Sequence, residues 1–202
     1  MRSCILVIVS LLVLAGCAAA QANPDSIKVR NNCRLAARII ATGHPAPHEE
    51  WAFGYIGNCP AEAGEAIASG MRASRTATDT ILLSHLTYTT RFLRDAALLD
   101  AALEVASDPS ASFEARIFSL RSLLWLMTSS PSPMGFGTLV SGDPYDGYQG
   151  CWVHSSPGLR MVAGTTPLPA DYRDQIRSLA TRLEADSGEV GDIRRIAWCL
   201  KH

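Results

Sequence analysis

The sequence has almost no net charge and few aromatic residues. Its 202 residues include 18 basic and 19 acidic side chains, for a formal net charge of -1, and aromatic residues make up 7%. Such a balance lacks the basic surface with which proteins attract nucleic acid or an anionic membrane. We therefore expect no nucleic-acid partner.

Short motifs of catalysis and metal binding are also missing. The sequence has no G-x-S-x-G turn for a serine nucleophile, no C-x-x-C pair and no H-E-x-x-H helix. His44 and His48 have the i, i+4 spacing of a metal site, but Pro45 and Pro47 preclude a helix there and predict a surface turn. We therefore expect no catalytic residue, no metal and no cofactor.

The apolar run at the N-terminus is too short to span a bilayer. It extends over residues 5–15 behind Arg2, which is typical of the apolar region of a secretory signal. The tetrapeptide that ends it, Leu14-Ala15-Gly16-Cys17, resembles the lipobox of bacterial lipoproteins. The resemblance implies cleavage before Cys17 and lipidation of that residue.

The residue after the lipobox cysteine bears on localisation. In the lipoprotein family an Asp at this position retains many proteins at the inner membrane, whereas this chain has Ala18. The resemblance therefore implies outer-membrane sorting, with the domain facing the periplasm. An ordinary signal peptide cut near residues 18–20, which would give a secreted soluble periplasmic protein, is the alternative.

These signals predict the domain organisation. We expect a signal peptide over residues 1–16, a lipidated N-terminus and short tether over 17–25, and a single α-helical domain over 26–202. The length left for the domain allows one sizeable core. A loop insertion is predicted within it, over residues 129–168.

Four cysteines remain once Cys4 leaves with the signal and Cys17 is lipidated: Cys33, Cys59, Cys151 and Cys199. An even number of thiols in an exported domain predicts two disulfides, and sequence alone does not choose among the three connectivities. We expect Cys33–Cys59 and Cys151–Cys199, because each pair links neighbouring elements.

Helical periodicity runs through nearly all of the chain outside the loop insertion, so the predicted fold class is all-α. Ile117, Leu120 and Leu124 share one helix face, and Tyr172, Ile176, Leu179 and Leu183 share another. The spacing also predicts a long helix over residues 75–94.

A repeated arginine indicates internal repetition. Arg34, Arg75 and Arg116 are 41 residues apart, and Arg194 follows 78 residues after the last of them, on the far side of the loop insertion. The segments "LLDAALEVASDPSASFEARIFSLRSLLWL" and "IRSLATRLEADSGEVGDIRRIAWCL" resemble HEAT repeats. The resemblance implies a HEAT-like α-solenoid of helical hairpins, with an irregular helical bundle as the alternative.

The loop insertion is the least regular part of the chain. Residues 130–169 contain seven Gly and six Pro, a density that excludes regular helix. The stretch "GTLVSG" is a possible hairpin partner for "LRMVAG", and Cys151 can tie the insertion to the last helix. Aromatic side chains on a fastened loop are typical of binding surfaces, so the candidate binding residues are Tyr145, Tyr148, Trp152 and His154. The alternative is a lid that packs these aromatics on the core.

Three functions are compatible with this sequence. The first is a non-catalytic, lipid-anchored envelope protein that binds or scaffolds another envelope protein. The second is a hydrolase of envelope polymers, with His154 or His85 and loop carboxylates near residues 142–154 at its site. The third is a purely structural envelope component. The missing catalytic motifs favour the first.

Overall fold

The computed structural model describes residues 24–91, 93–127, 162–186, 188–189 and 191–201. Within these ranges the chain is predominantly helical, which confirms the all-α prediction. The helices are α1 (Pro24–Ala41), α2 (Trp51–Ile56), α3 (Pro60–Ala73), α4 (Thr80–Thr90), α5 (Ala96–Ser107), α6 (Phe113–Met127), α7 (Tyr172–Ala185) and α8 (Gly191–Lys201), with a short 3-10 helix at Pro47–Glu49 and two short strands, β1 (Leu93–Arg94) and β2 (Val162–Ala163). No helix of this described part is long and apolar enough to cross a membrane.

The chain divides into two compact units inside α1. The first unit is Met1–Asn32, and its described part is the beginning of α1, where residues 26–30 are exposed. The second unit is Cys33–His202 and holds the remaining elements. The predicted boundaries at residues 16, 17 and 25 lie outside or at the edge of the described residues and stay predictions.

Polar side chains at the helix ends determine where several helices begin. Asp79 accepts hydrogen bonds from the backbone N–H groups of Ile81 and Leu82, at 2.9 and 3.2 Å, and so caps α4. Ser112 caps α6 by accepting the N–H of Ala115 at 3.1 Å. The predicted helix over residues 75–94 is therefore wrong at its start: the chain turns between Ala73 and Thr80, and Arg75 lies in that turn.

In the second unit, the helices pack as three neighbouring hairpins. The hairpins are α3 with α4, α5 with α6, and α7 with α8; α5 contacts both α3 and α7, and α6 contacts both α4 and α8. Stacked helical hairpins make contacts in this order. Each helix turns an apolar face to the common core, whose largest fully buried side chains include Ile40, Ile67, Leu86, Leu99, Leu120, Leu123, Ile176 and Ile193. The solenoid stays a prediction.

The second and third hairpins share a detailed local geometry. Asp108 and Asp186 end α5 and α7 with nearly the same backbone angles, φ -79° and ψ 110° against φ -74° and ψ 111°. The side chain of each accepts a backbone N–H two residues later at 2.8 Å. Arg116 and Arg194 then each donate from Nε to the carbonyl oxygen ten residues earlier, at 3.1 Å in both. Equal geometry at a spacing of 78 residues indicates that the two hairpins are structurally equivalent.

The first two arginines of the predicted series do not share this geometry. Arg34 is exposed on α1, and Arg75 is exposed in the turn after α3. Since neither lies near the start of a second hairpin helix, neither side chain can reach the end of a first one. The 41-residue spacing was therefore a wrong guide to structural equivalence, whereas the 78-residue spacing was a correct one.

The disulfide Cys33–Cys59 is present, as predicted. It joins α1 to the residue that precedes α3, with a Cα–Cα distance of 5.5 Å and a sequence separation of 26. Cys199 is also disulfide-bonded. Its predicted partner Cys151 lies outside the described residues, so that pairing stays a prediction.

Candidate functional site

A groove lies between α2, the first turns of α4, and the turns that follow α1 and α3. Its volume is about 410 Å³. The residues that line it include two histidines, two carboxylates and several apolar side chains: His44, Glu50, Phe53, Asp79, Ile81, Leu82 and His85. A concave surface with an apolar wall and a few polar groups is the usual form of a binding site.

The turn after α1 forms one edge of the groove and is held in place by Gly43. Its φ of 68° lies in the left-handed region, which favours glycine, and a Cβ there would come within 2.6 Å of the Cβ of Ala73. Ser74 donates its hydroxyl to the carbonyl oxygen of Gly43 at 2.8 Å. The turns after α1 and α3 are thereby fastened together, and this contact places His44 at the groove.

The wall of the groove is apolar and partly open to solvent. Phe53 is buried, and its ring centroid lies 5.2 Å from that of His85, with the planes tilted by 53°. Ile81 is 64% exposed, which is unusually high for a large apolar side chain next to a groove. Trp51, which precedes Phe53 on α2, is 42% exposed. Exposed apolar side chains grouped in this way are typical of surfaces that bind another molecule.

The polar side chains of the groove do not form an acid–base pair. Within the described residues, no hydrogen bond joins the ring of His44 or His85 to a carboxylate or a hydroxyl, and one oxygen of Asp79 is used to cap α4. No group of three potential metal ligands occurs in this part of the chain. What these side chains offer a ligand is an apolar contact surface with hydrogen-bonding groups at its edge.

The predicted site residues have different outcomes. His44 and His48 lie in the predicted turn, exposed on either side of Pro45. His85 is partly buried against Phe53. The lipidation residue Cys17 and the candidate binding residues Tyr145, Tyr148, Trp152 and His154 lie outside the described residues, so these predictions are untested.

A buried carboxylate fastens the return of the chain from the predicted loop insertion. Asp95 is 1% exposed; its Oδ1 accepts the N–H of Ala97 at 2.9 Å, and its Oδ2 accepts the N–H of Thr166 at 3.2 Å. Gly64 and Gly164 leave the space it occupies, because a Cβ on either would overlap its side chain.

Strand pairing reinforces this attachment. β2 pairs with β1 in parallel, with Leu93 opposite Val162 and Arg94 opposite Ala163. Ala96 also donates its N–H to the carbonyl oxygen of Thr166 at 2.9 Å. Part of "LRMVAG" is thus a strand, as the hairpin hypothesis requires, but the partner seen is β1; "GTLVSG" lies outside the described residues.

Sequence reasoning missed both the groove and the Asp95 cluster. His44 and His85 were considered separately, since nothing local indicates that residues 41 positions apart share a surface. Asp95 could have been recognised as a helix cap from its position before the apolar run of α5. Its bonds to the returning chain carry no local signal.

Comparisons of this chain with protein-family models, with curated proteins and with solved structures found no match. The functional interpretation therefore depends on its own residues.

Proposed function

We propose that the protein is a lipid-anchored envelope protein whose helical domain binds another envelope protein and performs no chemistry of its own. The observation that carries this proposal is the groove between α2 and α4, with the exposed Ile81 at its edge and Phe53 in its wall. An apolar side chain of a partner would remove Ile81 from water, which is favourable by roughly 25 cal/mol per Å² buried.

The domain in this proposal is a HEAT-like solenoid. Its support is the order of contacts among the three hairpins and the equivalent geometry at Arg116 and Arg194. Solenoids present extended surfaces made of successive repeats and commonly act by binding other proteins.

The anchor in this proposal is a lipidated Cys17. Its support is the lipobox Leu14-Ala15-Gly16-Cys17 behind a short apolar run. Two or three acyl chains would supply the multiple signals that durable attachment needs, since one chain binds only marginally. Outer-membrane attachment facing the periplasm follows from the same resemblance.

The binding proposal is tested by crosslinking in intact cells, followed by capture of the protein and quantitative mass spectrometry. The groove variant is Ile81→Asp. The matched control is Leu35→Asp, because Leu35 is also a large exposed side chain, 45% accessible on α1, and does not line the groove. We expect one specific envelope protein to be captured by the native protein and the control and lost from the groove variant.

A third variant separates the groove from the predicted binding loop. It replaces residues 129–160 with a short Gly/Ser linker and keeps β2 and the bonds to Asp95 intact. Loss of the partner here but not in Ile81→Asp would transfer the binding site to the loop residues. Retention of the same partners by all variants would contradict the proposal. Circular dichroism confirms beforehand that each variant keeps its helices.

The anchor is tested by feeding cells a labelled fatty acid and fractionating their membranes. The native protein is expected to incorporate the label and to sediment with the outer membrane, and Cys17→Ser to lose both properties. A native protein that stays unlabelled in the soluble periplasmic fraction would support the alternative, an ordinary signal peptide.

A further inference from the structure

Arg116 and Arg194 are two copies of one local arrangement. Each side chain is held by a 3.1 Å hydrogen bond from Nε to the carbonyl oxygen of the residue next to last in the preceding helix, Ala106 in α5 and Glu184 in α7. A guanidinium fixed through Nε keeps its two terminal nitrogens, Nη1 and Nη2, available as a planar fork. That fork matches the two oxygens of a carboxylate.

At Arg116 the fork is occupied. Nη1 donates to one oxygen of Glu189 at 2.9 Å, and Nη2 donates to the other. Glu189 lies between α7 and α8, so the arginine of one hairpin binds the carboxylate of the next. The side chains of this pair are 9% and 10% exposed. The pair is therefore a nearly dry contact between neighbouring hairpins.

At Arg194 the same fork is open. Arg194 belongs to the last hairpin of the described chain, and within that part its terminal nitrogens have no hydrogen-bond partner. The nearby carboxylates are engaged elsewhere, Glu184 with Lys201 at 2.8 Å and Asp192 with Arg195 at 3.4 Å. Arg194 is also partly exposed, whereas Arg116 is buried. A ligand can therefore reach the open copy.

We propose that Arg194 is a carboxylate-binding subsite, which takes an Asp or Glu side chain from a protein that docks on the last hairpin. The ligand class follows from the occupied copy, where the same fork holds a glutamate. Because the bond to Glu184 already fixes the guanidinium, binding costs less side-chain entropy than it would at a mobile arginine. The subsite is separate from the groove and does not depend on the groove having a partner.

The test uses acetate as the probe and follows the NMR signals of the arginine guanidinium Cζ atoms in the full chain. Sodium acetate is titrated against sodium chloride at equal ionic strength. The signal of Arg194 is expected to shift to saturation with acetate only. Arg116 should not respond, because Glu189 occupies it. Arg38, exposed on α1, is the control for a guanidinium without a fixed fork and should show a small, linear shift.

Glu189→Ala supplies the positive control, because it empties the copy at Arg116. In this variant the Arg116 signal should titrate with acetate, and acetate should raise the melting temperature more than it does in the native protein. Should Glu189→Ala not fold, Glu189→Gln serves the same purpose. A linear Arg194 response equal to that of Arg38 overturns the subsite. Saturation by phosphate but not by acetate overturns its assignment to carboxylates.

Discussion

Arg116 is a charged side chain in a place where a charge is costly. It is 8% exposed, and its Nε and both terminal nitrogens have acceptors, at Ala106 and Glu189. Burying an ion pair gives little net stability because both charges lose water, but removing one partner leaves the other charged and unpaired. Glu189 therefore matters more to the fold than its place in a short turn suggests.

Replacing Glu189 with Ala should destabilise the protein strongly. We expect a loss of about 3–5 kcal/mol in the free energy of unfolding, since Arg116 then stays buried without a counter-charge. Urea denaturation measures the loss. The matched control is Asp174→Asn, which removes the exposed partner of Arg177, 3.6 Å away, and should cost no more than about 1 kcal/mol. Equal losses in the two variants would contradict the burial argument.

Two glycines allow a matched test of the space around Asp95. In Gly64→Ala the new methyl group meets the Asp95 carboxylate, and we expect a loss of about 1–3 kcal/mol. Gly54 in α2 has no atom within 4 Å of an added Cβ, so Gly54→Ala should gain roughly 0.5–1 kcal/mol from helix propensity. Thermal unfolding decides; a neutral Gly64→Ala would mean that Asp95 shifts freely.

Asp108 should contribute a part of the stability that is lost in acid. Hydrogen bonds from the Ser110 hydroxyl and then from its N–H, at 2.7 and 2.8 Å, lower the pKa of Asp108 below its ordinary value of 3.8. A lowered pKa in the folded state stabilises the protein above the unfolded pKa, and this contribution disappears as the pH falls through the folded value.

The measurement for Asp108 is urea unfolding of the native protein and of Asp108→Asn as a function of pH. Their difference in unfolding free energy should be constant near neutral pH and shrink as the pH falls below 3.8. A difference that does not change with pH would indicate that the carboxylate charge has no part in the turn.

At the scale of elements, apolar periodicity located the helices because it is a local property. The predicted faces of α6 and α7 are buried at Ile117, Leu120, Leu124, Ile176, Leu179 and Leu183. The break before α4 was missed because Leu82 and Leu86 continue an apparent periodicity across it. Only the Asp79 cap gives the new helix away.

The groove and the strand pair were beyond this kind of reasoning. His44 and His85 meet because Gly43 and Ser74 fasten two turns together, and β1 pairs with residues that follow it by about seventy positions. Contacts at such separation depend on how whole hairpins pack. No local propensity encodes them.

The disulfide of α1 gives a prediction for this element. The double variant Cys33→Ala with Cys59→Ala should unfold with about 3–4 kcal/mol less free energy, since a loop of 26 residues is no longer closed in the unfolded chain. Urea denaturation of the oxidised native protein and of the double variant measures this loss. An unchanged denaturation midpoint would show that packing of Ala36 and Ile40 alone holds the end of α1.

At the scale of the whole helical unit, the hairpin order predicts how a local change spreads. In stacked hairpins each one interacts with its neighbours, so the effect of a small defect declines along the stack. Ile196 on α8 is fully buried, and Ile196→Val should cost about 0.5–1.5 kcal/mol. We expect reduced amide protection in α7, α8 and α6, and little change in α3.

Hydrogen exchange under native conditions measures that pattern. The conservative variant Ile27→Val, at a 49% exposed position, is the control and should leave protection unchanged. A uniform loss through all helices after Ile196→Val would favour the alternative of an irregular bundle with one cooperative core.

The attachment of the returning chain at Asp95 gives the framework a modular character. The chain leaves α6 at Met127 and rejoins at Val162, where β1, Asp95 and two glycines fix it to the interior. Closing a flexible connection costs only slowly more as it lengthens. Between these two fixed points, inserts of different length and composition can be exchanged while the hairpins stay unchanged, so recognition and stability can evolve as separate properties.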